Sequence, residues 1–74
     1  MARTTLQLHV ARAEESVMKG ELQIARQRKL IEDLSRDGHR TTEAVVVLER
    51  YEENHAKLIE DWEKLRAEQE AASA

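Results

Sequence analysis

Glu52 and His55 stand three positions apart in a segment rich in Glu and Leu, the spacing at which a helix aims a carboxylate and an imidazole at one metal ion. A di-metal centre of that kind needs a further inward carboxylate from another helix. The nearest in the first half, Glu21, falls beside the apolar stripe near Gly20 rather than opposite Glu52. Glu-rich helices produce this spacing often, so the expectation is that no metal is held, with His55 a polar residue of the stripe and Glu52 a solvated flank. Asp33, Asp37 and His39 form a second cluster with ligand chemistry. Helix termination explains it better, because Asp37 ends a helix, Gly38 reverses the chain and His39 folds back on the last turn.

Nucleophilic chemistry is not supported, since Ser16, Ser35 and Ser73 have no His at a workable position and no glycine loop could cradle a phosphate. The expectation is a protein that is not an enzyme and has no catalytic residue and no cofactor. Arg26, Arg28, Lys29 and Arg36 make the one concentrated positive patch, without interleaved aromatics. The net charge of −3 argues against nucleic acid as a partner and for a solvated face paired with acids. The charge is uneven: residues 1–37 carry seven Lys/Arg against six Asp/Glu, and residues 38–74 carry five against nine.

The elements that must position these side chains follow from composition and period. The 74 residues include no Cys, no Pro, two Gly and two aromatics, which excludes a disulfide scaffold, a thiolate metal site and a β-sandwich. Apolar residues at 41% and charged ones at 36%, rich in Ala, Glu, Leu, Arg and Lys, match a long amphipathic helix or coiled coil. Asp37-Gly38-His39-Arg40-Thr41-Thr42 is a helix stop followed by a helix start. One all-α domain is therefore predicted: helix 1 over about 5–36 capped by Thr4 or Thr5, a turn over 37–41, helix 2 over about 42–70, and a frayed tail over 71–74. Thr41 is the expected cap of helix 2, its hydroxyl accepting from the amide of Glu43 or Ala44.

Val10, Val17, Ile24 and Ile31 recur every seven residues, with Leu6, Ala13, Gly20, Gln27 and Leu34 interleaved, so helix 1 carries one seam. Helix 2 carries another through Ala44, Leu48, Tyr51, His55, Leu58, Trp62, Leu65 and Gln69. Val45, Val46 and Val47 sit inside this helical pattern. A turn this short makes the helices antiparallel, and matching by number sets Ile31 opposite Leu48, Gln27 opposite Tyr51, Ile24 opposite His55, Gly20 opposite Leu58, Val17 opposite Trp62 and Ala13 opposite Leu65. A polar Gln27 in such a seam fixes register.

The block Ile24-Ala25-Arg26-Gln27-Arg28, then Ile31, Leu34, Asp37-Gly38-His39, Thr41-Thr42-Glu43-Ala44 and Tyr51-Glu52-Glu53 resembles a group of short helical proteins of rhizobia and related alphaproteobacteria. The likeness covers about His9 to Leu65. It implies a helical hairpin and brings no activity, ligand or site residue with it.

Two helices share one contact surface, so apolar burial along a single seam roughly cancels the cost of ordering the chain. Leu22, Met18, Leu30, Val45 and Ile59 are read as widening the apolar face, and a homodimer of hairpins, a four-helix bundle, is the simplest way to cover it. The expected function is a protein–protein interaction or structural module with a second copy, or an unidentified protein, as partner. A small metal-binding bundle using Glu52 and His55, or a nucleic-acid accessory protein using the arginine patch, are the competing readings. No segment is a membrane span or signal peptide, so a cytoplasmic protein without a membrane partner is expected.

Overall fold

The structure, a computed structural model, describes residues 4–73. It is a helical hairpin: α1 (Thr5–Arg36) and α2 (Thr42–Ser73) fold back on each other, and no strand occurs among the described residues. The Val45-Val46-Val47 run is helical, as its place in the seam pattern requires. Ala74, the end of the tail expected to fray, lies outside the described residues. α2 keeps helical geometry past Glu70 to Ser73, whose hydroxyl donates to the Gln69 carbonyl at 2.9 Å.

Each helix end follows from local chemistry. Thr4 is the N-cap of α1: its hydroxyl accepts from the Gln7 amide at 3.1 Å, and the Gln7 side chain accepts from the Thr4 amide at 2.9 Å. This reciprocal pair satisfies two donors that the first turn leaves without partners. At the other end Gly38 takes φ +79°, the Gly38 amide donates to Ser35 (3.1 Å) and the His39 amide to Leu34 (2.8 Å). That pairing of bonds is the Schellman stop, and it assigns Asp37 and His39 to termination. Arg36 adds a cation in the last turn and pairs with Asp33. α2 starts differently. Thr41 supplies its carbonyl to the Val45 amide at 2.9 Å, but the expected bond from the Glu43 or Ala44 amide to its hydroxyl is not made, so Glu43 in the first turn provides the complement to the helix dipole.

The molecule is long and thin, 55 × 21 × 14 Å, so its least dimension is about that of one helix with its side chains. Among the described residues only Val10, Val17 and Ile24 are buried, and α2 contributes no buried residue. Ala13, Gly20, Gln27, Ile31, Leu34, Leu48, Tyr51, His55, Leu58, Trp62 and Leu65 lie along the same seam with one side still toward solvent. Val45 and Ile59 flank it half-buried. Met18 and Leu22 do not: they are 62% and 51% exposed, because Leu22 sits two residues from both Gly20 and Ile24 and so points away from α2. Leu30 is exposed at the edge of the seam.

The left-handed backbone at the turn gives a direct test. Gly38→Ala should cost about 1–2 kcal/mol, because a Cβ is disfavoured at that φ while nothing else surrounds it, and the melting temperature should fall accordingly. An unchanged or raised Tm would remove the glycine from the account of the turn.

Candidate functional site

Gly20 leaves a notch in α1, and the His55 ring fills it. A Cβ at Gly20 would stand 2.6 Å from His55 Cδ2, closer than a Cβ approaches another carbon. The bare backbone lets the imidazole reach the helix itself, where His55 Nε2–H donates to the Val17 carbonyl at 3.0 Å. Gln27 makes a second side-chain bond across the seam, its Nε2 donating to the Ala44 carbonyl at 2.8 Å. Both are part-buried and both run from a side chain of one helix to the backbone of the other.

These contacts correct the register obtained by matching numbers. Gly20 faces His55 rather than Leu58, and Gln27 reaches toward Ala44 rather than sitting opposite Tyr51. Carrying the Gly20–His55 offset along both helices sets Val17 level with Leu58, Ala13 with Trp62 and Leu34 with Thr41. Thr41, in the turn before α2, is half-buried.

The Glu52–His55 pair is drawn apart by this packing. Glu52 faces Arg28 across the seam at 3.8 Å while His55 turns to Val17. Among the described residues no group of three or more His, Asp or Glu is placed to hold a metal ion, the Asp33, Asp37 and His39 cluster included. The arginine patch is also divided. Arg28 turns to Glu52, Lys29 and Arg36 converge on Asp33, and Arg26 lies on the opposite flank. Trp62 is half-buried with the Arg66 guanidinium 4.9 Å from its ring centroid, and its buried Nε1 has no hydrogen-bond partner.

One flank of the seam opens into a groove of about 640 Å³ around the notch, lined by Ser16, Lys19, Gly20, Leu22, Gln23, Arg26, Gln27, Leu30, Tyr51, Asn54, His55 and Leu58. No acidic residue lines it. Lys19, Gln23, Arg26 and Leu30 each directly precede a seam residue, as Asn54 precedes His55, whereas Arg28 and Glu52 each directly follow one. One residue is about 100° of helix, so the two sets lie on opposite flanks. The charges divide accordingly. On the groove flank Arg12, Lys19, Arg26, Arg50, Lys57 and Lys64 stand against Asp33, Glu43, Asp61 and Glu68. On the other, Glu14, Glu21, Glu32, Glu49, Glu52, Glu63 and Glu70 stand against Arg28 and Arg66. The hairpin thus has a basic, grooved face and a strongly acidic one. Sequence reasoning missed this, although counting charge one position either side of each seam residue would have found it.

No helix among the described residues is long and apolar enough to cross a membrane. No protein family, curated protein or solved structure matches the chain.

The notch predicts a reversal of sign. In the parent chain Gly20→Ala should destabilise, because the new methyl expels the His55 ring and breaks its bond to Val17. In a His55→Ala background the same change should stabilise by about 1 kcal/mol, the ordinary gain of Ala over Gly inside a helix. Thermal melts of the four proteins check this, and equal effects in both backgrounds would refute the notch.

Proposed function

We propose that this chain is a non-enzymatic protein–protein interaction module that acts by helical self-association, hairpins packing side by side into a four-helix arrangement. The observation that carries this reading is the exposed area. A compact protein of 8.6 kDa exposes about 4,700 Å² by the general scaling of surface with mass, whereas this chain exposes 6062 Å². The excess, roughly 1,400 Å², is larger than the ~800 Å² that each partner contributes to a stable protein interface. The radius of gyration points the same way, 16.9 Å against roughly 11 Å for a compact chain of this length.

The side chains support interaction over chemistry. His55, the one imidazole in the seam, is committed to the Val17 carbonyl, and Glu52 is committed to Arg28. Exposed Leu8, Met18, Leu22, Leu30 and Val46 supply apolar contact area outside the seam. The likeness of the Ile24–Arg28 and Thr41–Ala44 segments to short helical proteins of rhizobia adds no activity to this reading.

Sedimentation equilibrium at micromolar concentration tests it. The expected mass is about 17 kDa or a higher multiple of the chain. A helical, cooperatively melting species at 8.6 kDa would contradict it.

A further inference from the structure

We infer that the second copy docks head-to-tail, the basic grooved face of one hairpin receiving the acidic face of the next. This rests on the self-association proposed above and adds which surfaces meet. A groove-to-groove contact would bring two faces together that each carry six Lys/Arg against four Asp/Glu, and the opposite pairing would oppose two faces that each carry seven Glu against two Arg. Like charges across an interface are costly, whereas the mixed pairing is complementary.

The groove itself favours an acidic helical occupant. It holds Lys19 and Arg26 and no carboxylate, and Arg26 makes no ion pair among the described residues. Its lining runs along α1 from Ser16 to Leu30, about four turns, which is room for a helix face. The acidic face offers what such a groove takes. Met18, 62% exposed, projects there between Glu14 and Glu21, and Ile59 lies half-buried on the same flank of α2. Apolar side chains beside carboxylates are thereby presented to a groove that holds Leu30 and Leu58 beside Lys19 and Arg26. The excess exposed surface exceeds the ~800 Å² that one such face contributes to a stable interface.

A contact between two different faces does not close on itself at two copies. It leaves one grooved and one acidic face free at the ends, so association continues into a ring or an open stack. The mass of the parent protein is therefore expected to rise past the dimer with concentration, and to fall as salt is added.

Two variants test the pairing. Lys19→Glu with Arg26→Glu reverses the groove, and Glu14→Lys with Glu21→Lys reverses the acidic face. Each alone is expected to lose association, read as a drop to 8.6 kDa by sedimentation velocity. Mixing the two should restore association and helical circular dichroism together, which also shows that neither variant is merely unable to fold. Association of the acidic-face variant alone at the parental level would overturn the inference in favour of a groove-to-groove dimer. Parental association of the groove variant would overturn it by removing the groove from the contact. In both cases self-association itself stands. A parent protein that is monomeric throughout would instead defeat the functional reading beneath it.

Discussion

A pair of antiparallel helices touches along one line, so each seam side chain meets neighbours on one side and water on the other. Among the described residues Val10, Val17 and Ile24 alone escape that limit, and no residue of α2 does. The remaining interactions do not add burial. The capping box at Thr4 and the Schellman stop at Gly38 define where α1 begins and ends. Lys19–Glu15, Lys29–Asp33, Lys64–Glu60 and Arg66–Glu70 are exposed pairs within single helices, each worth about 0.3–0.5 kcal/mol. Arg28–Glu52 is the one ion pair that joins the helices, and it too is exposed.

What the seam lacks in burial it partly recovers in specificity. Apolar residues repeating every seven positions would pack nearly as well after a slip of one repeat. The fit of His55 into the Gly20 notch and the bond from Gln27 to Ala44 distinguish one register from its neighbours, because a slip leaves a part-buried amide and imidazole without partners. Small Gly20 and polar Gln27 are thus poor choices for burying area and good choices for fixing alignment.

The hairpin was legible from Val10, Val17 and Ile24 at intervals of seven and from the stop at Asp37-Gly38-His39, since both signals are local. The register was not, because it depends on how many loop residues enter the seam. Gly20 meets His55 rather than Leu58. The fate of Glu52 was equally hidden: its spacing to His55 is a property of one helix, while its partner Arg28 comes from the other. The groove was hidden as well, since its lining comes from both helices.

The proposed self-association would make stability depend on the assembly, and thermal unfolding at different protein concentrations tests this directly. If copies cover one another, binding favours the folded chain, and Tm must climb as the concentration is raised over about a hundredfold range. A single cooperative transition with the same Tm at every concentration would mean that one hairpin is sufficient by itself.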